Sequence, residues 1–351
     1  MLCAVVLLRL EFNMQRVRVA LIGTQFAAQH AAALSKFPEK AQVVAVCSRT
    51  EAHARAFAEK WNVASWTTDY DALLRREDVD AVHLCVPHDL HAPMTIAALH
   101  AGKHVLCEKP IALTIEDADA MLAAAKSAGK ILMVNHNQRF VEGHVMAREC
   151  VQRGLIGAPF LATAAFHMFH LPQGFRADAQ RNGGGVVMDS GVHWLDLLNW
   201  IVGEVASVQA VGGRFAHHHI TAEDTAVITL QFKNGALGQF TITWAMNGKT
   251  MFEPLKVLGT HGTLRVENDR LTFETREGKL SPAELAEREP WAREVLQRFE
   301  GFTGRDSVRL SVEHFIDCVQ SRQQPLITPE EAREALRVAL RVNEAMGLRG
   351  V

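Results

Sequence analysis

Short apolar runs alternate with amphipathic stretches from residue 17 to residue 134. Residues 17–22 (VRVALI) are continuously apolar, too short for a helix and rich in β-branched side chains, so they predict a buried strand. The pattern then predicts helix 27–36, strand 43–47, helix 51–60, a short strand near 63–66, helix 70–76 and strand 80–86. Helix 92–101, strand 104–107, helix 114–128 and strand 131–134 complete it. Apolar strands alternating with helices imply right-handed crossovers and a doubly wound parallel sheet. Thr114, with Asp117 three positions on, predicts a helix cap, and Gly102 and Gly129 stand where helices end.

Beyond residue 140 the period changes. Residues 158–170 predict a strand, and 185–201 a helix opening from the triple glycine Gly183–Gly185. Strands are then expected over 205–215, 224–232, 236–246, 251–258 and 262–275, with Asn234-Gly235 as a hairpin turn. Strands without intervening helices predict an α+β domain with an open, largely antiparallel mixed sheet. Helices 308–321 and 329–346 close the chain, and the charged, weakly patterned stretch 278–306 is expected to be an exposed excursion.

A length of 351 residues exceeds one ordinary core and fits two domains, divided here as 16–136 and 137–351. Residues 1–15 are expected to be a disordered N-terminal extension, with Met14 a candidate start. They lack the basic leader and cleavage site of a secretory signal. A net charge of −2 gives no footprint for nucleic acid or an anionic membrane. None of the six cysteines forms a Cys-x-x-Cys pair, so reduced thiols in a cytoplasmic protein are expected, and no metal site.

In a parallel α/β sheet, ligands bind beyond the carboxyl ends of the strands. The residues there are Gly23, Ser48-Arg49, Pro87-His88, Glu108-Lys109-Pro110 and Asn135-His136, and all but the first group bring polar or ionisable side chains. The first turn, Gly23-Thr24-Gln25-Phe26-Ala27-Ala28, fits a dinucleotide fingerprint except that Gln25 replaces the middle glycine. An acidic residue after the second strand would bind the ribose of NAD. Ser48-Arg49 stands there instead and favours the 2′-phosphate of NADP over NAD.

Lys109, just past a strand, is placed to reach the nicotinamide end of a cofactor. On a helix, Asp189, His193 and Asp196 share one face, which sets a carboxylate one turn from an imidazole as a hydrogen-bonded base. His217-His218-His219 lies in a loop before a strand and reads as a solvated turn, with metal binding the alternative. His167 and His170 would face opposite sides of a strand, so one of them is expected to enter the substrate cleft.

Taken together, the segments VRVALIGTQFAAQHAAAL, CVPHDLHAPM, AGKHVLCEKPIALT, VNHNQRF and GGGVVMDSGVHWLDLLNWIVG resemble the Gfo/Idh/MocA oxidoreductases, over about residues 16–346. SVEHFIDCVQSRQQPLITPEEAREALRV resembles that family's closing helix pair. The resemblance implies a Rossmann domain followed by a sheet domain whose outer face forms homodimers or homotetramers. It places Lys109, Asp189 and His193 at catalytic positions and suggests a cis Lys109-Pro110 bond. Cofactor positions would be Gly23, Gln25, Phe26, Ala27, Ser48, Arg49, Pro87, His88, His91, Glu108, Lys109 and Asn137. Substrate positions would be Lys109, Arg139, His167, Asp189 and His193. Gln25, where glycine is usual, and His88, where asparagine is frequent, depart from the family pattern.

The activity implied is hydride transfer between NAD or NADP and a secondary alcohol or ketone of a sugar, cyclitol or related polyol. His193 would be the base and Lys109 would hold the reacting oxygen, although these roles are exchangeable. The Tyr-x-x-x-Lys pair of short-chain dehydrogenases is missing, since the single tyrosine, Tyr70, is followed four positions on by Leu74. Other readings within the fold are a catalytically silent nucleotide- or sugar-sensing protein, an NAD-assisted glycoside-cleaving enzyme and a dihydrodiol dehydrogenase.

Overall fold

A computed structural model describes residues 15–248 and 251–348, with the side chains of 251–254 left out of the description. The expected N-terminal extension and Met14 lie outside the described residues, apart from Gln15. Six short strands build the first sheet: β1 Val17–Ile22, β2 Ala41–Cys47, β3 Trp66–Thr67, β4 Ala81–Leu84, β5 His104–Cys107 and β6 Leu132–Val134. All pairings are parallel, in the order β3-β2-β1-β4-β5-β6. The order reverses between β1 and β4, which opens a crevice at their carboxyl ends.

The helices between them are α1 Ala27–Leu34, α2 Glu51–Trp61, α3 Tyr70–Leu74, α4 His91–His100 and α5 Ile115–Ala128. Thr114 caps α5 by accepting from the Asp117 amide, and Gly129 ends it with φ 60°, as the sequence predicts. The expected helix boundaries hold to within a few residues.

The chain then crosses through a 3-10 turn, Asn137–Phe140, into α6 Glu142–Gln152, a helix the sequence reading did not assign. The second sheet comprises β7 Pro159–His167, β8 Val205–Gly213, β9 Thr225–Phe232, β10 Leu237–Thr243, β11 Met251–Gly259, β12 Thr263–Glu267, β13 Arg270–Thr275 and β14 Gly278–Leu280. Its order is β14-β13-β12-β11-β7-β10-β9-β8, antiparallel except for β7 with β10. Two further helices, α7 Ala179–Asn182 and α8 Val192–Ile201, lie between β7 and β8 in the chain. The inner face packs on α8, where Trp194 stacks on Phe240 and tilts against Phe166. Along β9 burial alternates strictly, with Ala226, Ile228 and Leu230 inward and Val227 outward.

Two expectations are corrected here. The single strand predicted over 262–275 is a hairpin, β12–β13, because Asn268 and Asp269 adopt positive φ (49° and 68°) and turn the chain back. The stretch 278–306 is structured. It carries β14, α9 Pro282–Arg288 and α10 Pro290–Arg298, whose helices bury Leu285, Trp291 and Ala292.

The closing helices, α11 Ser307–Ser321 and α12 Pro329–Ala345, reach back across the molecule. Val312, Phe315 and Ile316 of α11 join the core of the first sheet with Val19, Leu21 and Leu106. Burying an aromatic such as Phe315 stabilises by about 1.5–3 kcal/mol, so this helix is fastened firmly to the first sheet. No helix among the described residues is long and apolar enough to cross a membrane.

Candidate active site

The predicted strand-end residues converge at the carboxyl edge of the first sheet. Gly23 follows β1 with φ 97°, and a Cβ there would lie 2.2 Å from the Cys85 carbonyl oxygen, so only glycine permits this turn. The chain enters α1 directly, without a side-chain cap on its first turn. Gln25 is exposed, and the loop accepts it without a left-handed backbone. Ser48 is buried beside β3, whereas Arg49 is exposed and forms no ion pair among the described residues.

Beneath this loop runs a buried polar chain. His30 meets Glu108 at 2.9 Å through Nε2 and His83 at 3.1 Å through Nδ1. Asn135 donates to the same Glu108 oxygen at 2.6 Å and accepts from Ser311 of α11 at 2.7 Å. Burial alone would raise the Glu108 carboxyl, but His30, Asn135 and Lys109 hold it below its ordinary 4.5. Glu108 therefore anchors the turn that carries Lys109. His30, Cys85 and Glu108 have donor atoms within 4.8 Å of one another, the geometry of a metal site. Burial keeps the Cys85 thiol protonated, and the other two groups already bond each other, so a hydrogen-bonded network describes them better.

Lys109 precedes Pro110 across a cis peptide bond. His91 is fully buried, and its ring nitrogens meet the Pro110 carbonyl at 2.7 Å and the Val86 carbonyl at 3.0 Å. It staples the Lys109-Pro110 turn to the segment just past β4.

Asp189 comes from the second half of the chain. The glycine run leads into a π-helical turn, Val187–Gly191, ahead of α8. Glu223 holds the start of that turn by accepting the amides of Gly185 at 2.9 Å and Val187 at 3.1 Å, while its carbonyl accepts from Val186 at 3.0 Å. A Cβ on Gly185 would collide with that carbonyl at 1.9 Å. Burial, with the charge of Asp224 adding to it, pushes the Glu223 carboxyl up to about 7.

Lys109 donates to the Asp189 backbone carbonyl and to its carboxylate, the latter at 3.1 Å. Arg176 donates to the other carboxylate oxygen at 3.3 Å, and His88 Nε2 lies 3.6 Å from the first. Burial would raise the carboxyl, yet Lys109, Arg176 and His88 hold it well below 3.8, so Asp189 is ionised. No hydrogen bond joins Asp189 to His193, contrary to expectation. A π turn closes i→i+5 and rotates Asp189 out of the i, i+4 register. Burial first, then the charge of Lys109, holds His193 well below 6.5 and therefore neutral.

Four more of the expected site residues have protein partners of their own. His88 faces Asp189 and hydrogen-bonds the Asn182 carbonyl at 3.0 Å. Arg139 is 1% exposed and grips Asp196 at 2.8 and 2.6 Å, with Glu331 at 3.0 Å, so it braces elements of the second half of the chain. Asn137 donates to Ser307 at the start of α11. His167 bonds Thr241 at 2.8 Å on the sheet face away from α8, whereas His170 lies beside Trp244. Of the histidine triplet, His218 and His219 are exposed in a turn as expected, with His219 bonding the Pro172 carbonyl, whereas His217 is buried against the Trp244 carbonyl. Arg176 was missed altogether, and no local pattern marks it. Its partner is the Asp189 carboxylate, beyond the intervening triple glycine.

Residues 17–136 match the model of an oxidoreductase family with an NAD-binding Rossmann fold, and residues 144–265 match the GFO/IDH/MocA C-terminal domain. The 1,5-anhydro-D-fructose reductase of Ensifer adhaerens is 34% identical over 70% of this chain and 78% of its own length. The myo-inositol 2-dehydrogenase of Thermotoga maritima is 30% identical over 91% and 93%. The crystal structure of an oxidoreductase domain protein from Kribbella flavida superposes with a TM-score of 0.84 at 28% identity, covering 96% of this chain and 98% of that one.

Proposed function

The chain belongs to the GFO/IDH/MocA oxidoreductase family, and on that premise we propose that it transfers a hydride between a nicotinamide dinucleotide and a secondary alcohol or ketone of a sugar, cyclitol or related polyol. The observation that carries the reading is the meeting of Lys109 with ionised Asp189, with neutral His193 one turn further along. The names of the similar proteins, an anhydrofructose reductase and a myo-inositol dehydrogenase, support a polyhydroxylated substrate.

The residues present fit a dinucleotide. Gly23, Gln25, Phe26 and Ala27 lead into the uncapped N-terminus of α1, which suits a pyrophosphate. Ser48 and Arg49 would hold the adenosine ribose, Pro87 would line the crevice and Lys109 would face the nicotinamide end. The unpaired, exposed Arg49 favours NADP over NAD. When bound, the nicotinamide ring accepts or returns the hydride. Lys109 donates a hydrogen bond to the reacting oxygen and stabilises negative charge there. His193 takes the hydroxyl proton, and Asp189 holds Lys109 in place while accepting from a neighbouring hydroxyl.

Residues 16–136 would act as the dinucleotide unit and 137–351 would carry the substrate wall. Exposed Phe160, Val211, Val227 and Leu237 support the outer sheet face as the contact of a homodimer or homotetramer. The five described cysteines are free thiols, in keeping with a cytoplasmic setting.

The test begins with calorimetric titration of nucleotide-free protein with NAD and NADP, followed by a screen of sugars, cyclitols and diols for dinucleotide reduction. Lys109→Ala is expected to keep dinucleotide binding and to lose about 10²–10³-fold in turnover. Wild-type turnover by that variant overturns the assignment.

A further inference from the structure

One strand-end residue has no role in this scheme. His136, just beyond β6, is fully buried, and neither ring nitrogen has a hydrogen-bond partner among the described residues. Its ring lies 5.8 Å from that of His193, edge to face at 87°. The inward nitrogen of His193, Nδ1, is likewise buried and unpartnered. On the other side, His136 Nδ1 stands 3.8 Å from Asp196 Oδ2. Asp196 is gripped by Arg139 through two hydrogen bonds, at 2.8 and 2.6 Å. Three unpartnered ring nitrogens thus lie between the cleft and a fixed carboxylate.

A neutral imidazole has one N–H and one lone pair. For His193 to accept a hydroxyl proton, its cleft-facing nitrogen must carry the lone pair, so Nδ1 must carry the hydrogen. A buried N–H needs an acceptor, and the tautomer of a histidine is set by whatever its second nitrogen meets. We infer that His136 is a positioning residue for His193: its own Nδ1–H points to Asp196, and its Nε2 lone pair receives the His193 Nδ1–H.

The inference rests on the functional reading given above. The 3.8 Å gap to Asp196 is longer than a hydrogen bond and none joins the two rings, so the inferred chain Asp196–His136–His193 requires both contacts to tighten when the site is loaded. In the reaction the substrate O–H bond breaks and its proton stays on the cleft nitrogen of His193. No proton leaves through His136, which steadies the imidazolium through one added hydrogen bond. The charges facing His136 are Asp196 and Glu108 on one side of the balance and Arg139 and Lys109 on the other, with His193 neutral. They offset one another, and burial keeps His136 itself neutral.

The tautomer is read directly by ¹⁵N resonance of histidine-labelled full-length protein loaded with dinucleotide, with His193→Asn to assign the signal. Wild type is expected to show His193 as the Nδ1–H form and His136→Phe as the Nε2–H form. The acid limb of the kcat profile should shift in His136→Phe, with turnover lower by about tenfold to a hundredfold and dinucleotide affinity kept. His136→Gln, which still offers an acceptor, should retain the Nδ1–H form and more of the turnover. An Nε2–H form in wild type, or an unchanged tautomer in His136→Phe, overturns the inference. Neither result depends on identifying a substrate, so failure of the polyol reading is separately visible.

Discussion

Lys109 and Asp189, 80 positions apart in sequence, meet at 3.1 Å where the end of β5 faces the π turn before α8. Each comes from a different sheet unit, so neither half of the chain completes the site alone. The contact sets the charge of the site: one carboxylate is shared between the Lys109 ammonium and the Arg176 guanidinium.

Asp189→Asn removes that carboxylate and leaves two cations facing each other without a counter-charge. Turnover is expected to fall about a hundredfold or more, with dinucleotide binding little changed. Single-turnover hydride transfer and calorimetry on the same preparation check both halves of the expectation.

Arg139 and Asp196 are each 1% exposed in their side chains and bonded at 2.8 and 2.6 Å. Arg139→Ala strands a buried carboxylate, and urea unfolding should show a loss of about 3–5 kcal/mol. Arg139→Lys cannot reproduce the paired geometry and should recover only part of it. If Arg139 bound substrate instead, the folded variant would show a raised KM with stability intact.

Glu223 makes stability depend on pH. Its folded value, about 7, lies above its ordinary 4.5, so the folded state binds more protons between these limits. Stability from this group is complete below pH 4.5, declines as pH rises and levels off above 7. The total is on the order of 3 kcal/mol. Melting curves between pH 5 and 8 should show the decline in wild type and a flatter profile in Glu223→Gln.

Gly23→Ala would set a methyl 2.2 Å from the Cys85 carbonyl oxygen at a backbone φ of 97°. The loop must shift, at a cost of about 1–3 kcal/mol. Dinucleotide affinity should fall more than stability, because the shifted amides are those proposed to hold the pyrophosphate. Calorimetry beside thermal melting separates the two effects.

Much of the missed structure was nonetheless written locally. Asn268-Asp269 is a turn pair, and Ser281-Pro282 with Glu284 forms a full capping box, so the hairpin β12–β13 and the start of α9 were readable. The helix α6 was harder. Its buried face includes Gly143, His144 and Cys150, residues that dilute an apolar stripe. Among the site residues, Lys109, Asp189, His193 and Gly23 stood out because strand ends, glycines and helix faces follow from short-range pattern. Arg176 carried no such mark, and His136 was marked only as a strand-end residue, since what matters about each is a neighbour far along the chain.

The sequence by itself determined the two halves, the parallel and antiparallel sheets, and the edge where chemistry would gather. Those features follow from hydrophobic period and turn residues, which act over a few positions. Only the tertiary structure decided which polar groups are partners. It gave Asp189 to Lys109 instead of His193, buried Arg139 against Asp196, turned His88 toward the site and returned α11 to the first sheet. These pairings depend on how distant elements cross and pack, and a buried charge settles on whichever partner that packing brings within reach.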